Sequence, residues 1–351
     1  MGKKMRLGIL GFGFMGHTHA KNVAAYKDIE LVAVCDNNPV QLDDVRDAGY
    51  QIYERAEDII ADTNIDVLLI ATPNNLHRQH VVAAANAGKH ILCEKPVALT
   101  LEDYDAMEKA CRDNNVMFTV HQQRRFDKDF CTAKNVYDGR MVGEDMFIIK
   151  SQLYGVNGNM HDWHVFPEYG GGMLFDWGVH LIDQMLYMIP GKVKSLFANV
   201  RNVINENVDD YFKIDLLFEN GQRAEIELGT YYLTPKRAWF IGGNTGSMVI
   251  DGFGVEGNIV RTAHLLENVP GQITMTAAGP TRSFGPPEPG LLQYEPLPLA
   301  DVDHGMYWEN FLQVWNGEGE FVVKPAETRR VLALMEAARE SARTGQSVSF
   351  E

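Results

Sequence analysis

The sequence predicts an α/β protein: an N-terminal doubly wound parallel sheet, then a C-terminal α+β domain on a large, mostly antiparallel open sheet. Three observations carry this. In the first third, short apolar runs alternate with helix-like stretches, the pattern of a parallel sheet covered on both faces. A glycine-rich turn stands between the first apolar run and the first helix. After about residue 122 the pattern changes to segments with period-two alternation, separated by turn signals. The 351 residues divide at that change into domains 1–122 and 123–351, each large enough for its own core.

Buried parallel strands are read at MRLGIL, ELVAVCD, DVLLIAT, HILCEK and VMFTV. Helices between them include HRQHVVAAANAG, which ends on Gly88, and LTLEDYDAMEKACRDN, capped by Thr100. A helix near 128–137 and a strand open the second domain. The stretch GGGMLFDWGVHLID (170–183) then runs three glycines into an apolar helix. KVKSLFANVRNV, DDYFKIDLLFE, QRAEIELGTYYL, AWFIGG and GSMVIDG read as antiparallel strands with turns such as ENGQ. Residues 265–303, rich in Pro and Gly, read as a long irregular excursion. The closing AETRRVLALMEAARESARTGQ is an amphipathic helix, apolar at 331, 334, 335 and 338 and stopped by Gly345.

An excess of 47 acidic over 32 basic side chains (net charge −15) argues against a general nucleic-acid binder, which needs a basic face. A nucleotide cofactor remains compatible, because backbone N–H groups at a helix N-terminus hold its phosphates. No apolar stretch is long enough to span a bilayer, and Gly8, Gly11, Gly13 and Gly16 interrupt the N-terminal run that would otherwise resemble a signal peptide. Cys35, Cys93, Cys111 and Cys131 form no CxxC pair. They read as reduced structural thiols, so a cytoplasmic location is expected.

GFGFMG (11–16) fits G-x-G-x-x-G in the right setting, after a strand and opening a helix, with Asp36 ending the next strand. Gly11 permits the tight turn, Gly13 lets the backbone approach a pyrophosphate, and Gly16 lets helix and strand pack closely. Phe12, Phe14 and Met15 share that turn and are expected at the cofactor. Asp36 would accept hydrogen bonds from ribose hydroxyls. It is followed by Asn37 and Asn38 rather than an arginine, so NAD is favoured over NADP. ATPNNLH (71–77) ends the fourth strand and should reach the cofactor through Thr72, Asn74 and His77. CEKP (93–96) ends the fifth and adds Glu94 and Lys95. Pro96 turns Lys95 away from helical geometry, placing an ammonium where it can stabilise charge developing on an oxygen.

Asp176, His180 and Asp183 stand at i, i+4 and i+7, one face of a helix beside Leu174, Leu181 and Met185. The pair Asp176/His180 also suits a metal, with His161 and His164 of HDWH as further ligands. No other metal signature accompanies them, and none is expected. The preferred reading is proton transfer: His180 exchanges the proton of a hydroxyl, and Asp176 orients the imidazole or binds a neighbouring hydroxyl. The glycines at 170–172 would let the chain pass close to the substrate.

GFGFMG, ATPNNLH, CEKP, HQQRRF and GGGxLxDxGxHxxD occur in the order and spacing of the Gfo/Idh/MocA oxidoreductases, the relatives of glucose–fructose oxidoreductase and inositol dehydrogenase. The chain resembles that family over nearly its whole length. The resemblance implies an N-terminal Rossmann domain and a C-terminal domain whose open sheet often forms the oligomer contact. A homo-oligomer, dimer or tetramer, is therefore expected. It implies that Lys95, Asp176 and His180 surround a sugar or polyol in front of the nicotinamide, with Gln123 and Arg124 at the domain junction near cofactor and substrate. Trp163 resembles a recurrent substrate-side tryptophan, but His164 stands where an arginine often follows.

The function expected is NAD(H)-dependent oxidation or reduction of a secondary hydroxyl on a cyclic polyol, sugar or glycoside. His180 is the base, Lys95 the electrostatic stabiliser and proton-network partner, and Asp176 the orienter. One alternative is a glycoside 3-oxidase that retains and recycles NAD to prepare glycosidic-bond cleavage. Tyr154, Trp163, Phe166, Tyr169, Phe175 and Trp177 would then hold an aglycone or stack on a sugar, unless they are core. The other is a non-catalytic sugar- or NAD-sensing regulator, against which the intact Lys95/Asp176/His180 set argues.

Overall fold

The computed structural model describes residues 4–46, 48–155, 162–264, 272–283 and 289–351. In the first domain β1 (Met5–Leu10), β2 (Ile29–Cys35), β3 (Gln51–Tyr53), β4 (Val67–Ile70), β5 (His90–Cys93) and β6 (Phe118–Val120) alternate with α1 (Phe14–Val23), α2 (Ala56–Ala61), α3 (His77–Asn86) and α4 (Leu101–Asp113). The strands pair in parallel in the order β3-β2-β1-β4-β5-β6. Every residue of β4 is buried, as a central strand between two helical layers requires. The strand order reverses between β1 and β4, so the ligand crevice lies beyond their carboxyl ends. Thr100 caps α4 as expected: its hydroxyl accepts from Asp103 N–H at 3.1 Å.

The second domain runs α5 (Lys128–Asp138), β7 (Met146–Tyr154), a π-helical turn (Leu174–Gly178) continuing into α6 (Val179–Met188), then β8 (Val193–Arg201), β9 (Tyr211–Phe218), β10 (Arg223–Gly229), β11 (Trp239–Gly243), β12 (Gly246–Ile250) and β13 (Gly257–Thr262). After these come β14 (Gln272–Thr276), β15 (Gly279–Ser283), β16 (Leu292–Glu295), α7 (Gly305–Trp315), α8 (Pro325–Thr344) and β17 (Val348–Ser349). Nine strands form one sheet in the order β16-β13-β12-β11-β7-β10-β9-β8-β17. It is mostly antiparallel, but β7 and β10 pair in parallel at its centre. The stretch 265–303 is less irregular than its composition suggests. β14 and β15 make a hairpin and β16 joins the sheet edge, while 265–271 and 284–288 lie outside the described residues.

Alternation gives this sheet one buried face. Phe212, Ile214, Leu216 and Phe218 of β9 are buried, and α6 and α8 lie against the sheet. On the opposite face Lys150 and Lys213 both pair with Glu225, and Phe197 stands exposed opposite Asp215. Val331, Leu334, Met335 and Ala338 of α8 are buried, and Gly345 ends the helix at φ +68°. The last helices return to the first domain. Tyr307 OH donates to Val120 O (2.8 Å), Thr119 OH to Val323 O (3.0 Å) and Tyr104 OH to Pro325 O (2.8 Å).

Candidate active site

The glycine turn is shaped by contacts that leave one side open. At Gly11 (φ +92°) a Cβ would lie 2.5 Å from the backbone of Ala71, and at Gly16 it would lie 2.4 Å from Gly11 O. At Gly13 a Cβ would meet nothing within 4 Å. That open side, at the N-terminus of α1, is a cradle for a phosphate. Phe14, on the first turn of α1, is exposed. Asp36 closes the turn: its carboxylate accepts Phe12 N–H and Asn38 N–H, each at 2.8 Å. Just beyond the carboxyl end of β6, the buried Gln123 Oε1 has no partner among the described residues, an acceptor available to a ligand N–H such as a carboxamide. These residues fit a dinucleotide.

Three of the residues expected at the cofactor have side chains held by the protein itself. His77 is fully buried: its Nδ1 lies 3.1 and 3.2 Å from the carbonyl oxygens of Pro96 and Val97, and its Nε2 lies 2.8 Å from that of Thr72. It brackets the two loops together through both ring nitrogens. Glu94 is buried too. Its Oε1 accepts from His19 Nε2 (2.5 Å) and His121 Nδ1 (2.9 Å), and its Oε2 accepts from Lys95 N–H (3.1 Å). The two imidazoles hold its carboxyl well below the usual carboxylate range against the cost of burial. One oxygen shared at such distances is hydrogen bonding; ligand atoms about 2.0–2.1 Å from a zinc ion would stand farther apart. Asn74 gives its amide N–H to Tyr169 O (3.0 Å), which ties the loop after β4 to the second domain. Thr72 OH lies 3.2 Å from His80 Nδ1.

Lys95, at the carboxyl end of β5, reaches the π-turn. Its Nζ donates to Asp176 O (2.9 Å) and to Asp176 Oδ1 (2.8 Å). Wider i→i+5 turns of this kind recur at functional sites, and here the turn offers Lys95 both a carbonyl and a carboxylate from one residue. His180, on the first turn of α6, is buried, and its Nδ1 donates to Gln122 Oε1 at 2.7 Å. Burial, with the cations Lys95 and Arg124 nearby, holds its imidazole well below the ordinary value, so it is neutral with its Nε2 lone pair available.

The three polar residues of the 170–183 segment therefore do separate work. Asp176 orients Lys95, and Gln122 orients the imidazole. Gln122 had no signal beyond its place in HQQRRF, because its partner lies 58 residues away. Asp183 forms a buried two-pronged ion pair with Arg125 (2.6 and 2.8 Å), which also pairs with Glu327 of α8. The glycines at 170–172 make room for protein neighbours: a Cβ at Gly170 would strike Leu99, at Gly171 His164 O and at Gly172 Asp209.

Arg124 lies 4.1 Å over the Trp177 ring and 5.9 Å from Phe253, and donates to Asp127 (3.0 Å). These aromatics, with Tyr154, Leu181 and Gln184, line a cavity of about 340 Å³ on the other flank of α6. Trp163 stacks on His164 (3.8 Å), and His164 Nε2 stands 3.8 Å from Asp176 Oδ2. His161 lies outside the described residues.

A dinucleotide cradle facing a lysine and a neutral imidazole is the equipment of a nucleotide-dependent oxidoreductase. Residues 5–122 match the pattern of the oxidoreductase family with an NAD-binding Rossmann fold, and residues 130–249 that of the GFO/IDH/MocA C-terminal domain. The chain belongs to the GFO/IDH/MocA oxidoreductase family, and its first domain is NAD-binding. It is similar to the crystal structure of an NAD-binding protein from Listeria innocua: 35% identity, 99% of this chain and 97% of that one, TM-score 0.88. It is also similar to an uncharacterized oxidoreductase of Schizosaccharomyces pombe, 36% identical over 172 residues (47% of this chain, 46% of that one). A myo-inositol 2-dehydrogenase of Thermotoga maritima is 26% identical over 230 residues (64% and 68%). The chain thus spans about half the length of the S. pombe relative (46%).

Proposed function

We propose that the chain is an NAD(H)-dependent dehydrogenase of a secondary hydroxyl on a cyclic polyol, sugar or glycoside. The observation that carries this reading is the pairing of an oriented ammonium with a buried neutral imidazole at the domain junction. NAD, held by residues 11–16, Asp36 and Gln123, supplies the hydride acceptor. His180 takes the hydroxyl proton on Nε2 because Gln122 holds Nδ1 in its protonated tautomer. Lys95 has spent two N–H groups on Asp176, and the third is left to stabilise charge on the reacting oxygen. General-base transfer of this kind contributes about 10²–10⁴-fold to rate.

The inositol dehydrogenase relative supports a polyol. The cavity beside Trp177 suits the remainder of a sugar, with ring faces for stacking and Arg124 and Gln184 for hydroxyls. The same aromatic lining, Tyr154, Trp177 and Phe253, favours the second reading, a glycoside oxidase that retains its NAD. We place the enzyme in the cytoplasm as a homo-oligomer joined through the open sheet face; among the described residues no helix is long and apolar enough to cross a membrane.

The test is to mix the protein with NAD⁺ and a panel of inositols, free sugars and glycosides, and to count NADH per site. Many equivalents with one member supports the dehydrogenase. One equivalent that stops, and reverses with an oxidised sugar, selects the retained-cofactor oxidase. Silence with NAD bound favours the sensor.

A further inference from the structure

Lys95 is aimed by a turn that helices rarely make, so the turn itself must be held. Over Leu174–Gly178 the backbone widens to i→i+5 spacing, which occurs mostly as single turns. Asp176 thereby offers Lys95 Nζ its carbonyl (2.9 Å) and its Oδ1 (2.8 Å) together. The N–H groups that open such a turn have no partner inside it. Two of them go to one residue of the loop between β8 and β9. Met173 N–H donates to Asp209 O (2.9 Å), and Leu174 N–H donates to Asp209 Oδ2 (2.7 Å).

The place of Asp209 is built from both sides. The neighbouring Asp210 folds the loop: its carboxylate accepts N–H from Val203 (2.6 Å), Ile204 (2.8 Å) and Asn205 (2.9 Å), and its carbonyl accepts Thr230 N–H (3.1 Å). Opposite it, Gly172 at φ +100° lets the chain pass so close that a Cβ there would lie 2.3 Å from Asp209 Oδ1. Burial raises the proton affinity of the Asp209 carboxylate, and Arg339 of α8, 5.5 Å from the Phe175 ring of the same turn, works against this.

We propose that Asp209 is a positioning residue for Lys95: it holds the π-turn whose Asp176 aims the ammonium. The role rests on the dehydrogenase reading above, in which the third N–H of Lys95 meets the reacting oxygen. A carboxylate at the opening of a helix satisfies its first N–H groups and suits the positive end of its dipole. Here it fixes more than stability. Relaxation of the turn to ordinary α-helical spacing would re-phase its residues against α6 and carry Asp176 away from Lys95. Asp209 touches neither cofactor crevice nor reacting atoms in this scheme, and acts through Asp176 alone.

The experiment reads Lys95 directly, by acetic anhydride labelling of the full chain followed lysine by lysine with peptide mass spectrometry. Acylation consumes the free amine, so an ammonium held by Asp176 reacts only when released. Asp176→Ala sets the released rate. Lys89, whose Nζ donates to Ile65 O (3.0 Å) in the first domain, is the internal control. In Asp209→Ala, Lys95 should label about 10-fold faster, the worth of one hydrogen bond to a charged acceptor, with Lys89 unchanged. In Asp209→Asn, whose amide oxygen still accepts Leu174 N–H, Lys95 should stay within about 3-fold of wild type. With the panel member that is oxidised, kcat should fall about 10-fold in Asp209→Ala through misplacement of the ammonium, and recover in Asp209→Asn. NAD affinity by titration calorimetry should be the same in all three. Each variant is first matched to wild type by circular dichroism, and Asp209→Val, similar in shape, repeats the comparison if Asp209→Ala does not match. Lys95 labelling at the wild-type rate without the carboxylate overturns the proposal, as does Asp209→Asn labelling as fast as Asp209→Ala. A parallel rise at Lys89 also overturns it, by making Asp209 a residue of general stability. Faster labelling with unchanged kcat removes the positioning role and leaves the dehydrogenase standing. No NADH from wild type with any panel member overturns the dehydrogenase reading, and the role of Asp209 with it.

Discussion

Gly13 separates two roles that a glycine fingerprint usually combines. Gly11 and Gly16 are required by the protein's own backbone, which a Cβ would strike at 2.5 and 2.4 Å, whereas a Cβ at Gly13 has free space. Gly13→Ala should therefore change unfolding stability by no more than about 1 kcal/mol while weakening NAD binding about 10-fold or more by titration calorimetry. Unchanged affinity would remove Gly13 from the cradle. A second residue-scale prediction concerns Gln122, which gives His180 a neutral partner. Gln122→Glu places a carboxylate beside Nδ1 and raises the imidazole's proton affinity. The neutral base is then lost at higher pH, so the acid limb of kcat/KM should move upward. An unmoved limb would mean that His180 is not the base.

At the scale of elements, the 170–183 segment was legible as a helix with polar residues, but its phase was not. Spacing by 3.6 residues puts Asp176, His180 and Asp183 on one face. The π-turn at 174–178 shifts the phase, and each residue meets a partner from a different element. Asp183 is the clearest case, because no pattern within a helix reveals an arginine 58 residues upstream. The pair is buried on both sides, and Arg125 extends it to α8 through Glu327. Asp183→Ala should cost about 3–5 kcal/mol by leaving Arg125 buried with its main partner gone. Denaturant unfolding measures this, and a loss below 1 kcal/mol would contradict the structural role.

For the whole molecule, buried imidazoles set the response to acid. Burial lowers the proton affinity of His77, His121 and His180, and brings His80 to about 4. The unfolded chain therefore binds more protons below about pH 6.5, and stability falls as pH drops through that value. Asp209, which burial pushes up to about 6, and Asp129, which burial also raises, act in the opposite direction but are two groups against four. Unfolding near pH 6 should take up about two protons net, measurable from unfolding calorimetry in buffers of different ionisation enthalpy. Net release would contradict the burial of these rings. The open sheet face gives the other whole-molecule expectation, a dimer or tetramer by light scattering. Phe197→Glu should shift it toward monomer with NAD affinity unchanged, and a wild-type monomer would end the oligomer proposal.

The strand–helix alternation, the glycine turn, the acidic residue ending β2, the Thr100 cap and the closing amphipathic helix are all local in the chain. Periodicity, capping and turn chemistry act over a few residues, so the sequence by itself determined those features, the parallel first domain and its nucleotide cradle. Only the tertiary structure decided which side chains meet. It engaged the His77 and Glu94 side chains as buried brackets, gave His180 to Gln122 and Asp176 to Lys95, and set β7 parallel to β10. Each of those pairings joins residues far apart in the chain, and is selected by burial and by the need of every buried polar group for a partner.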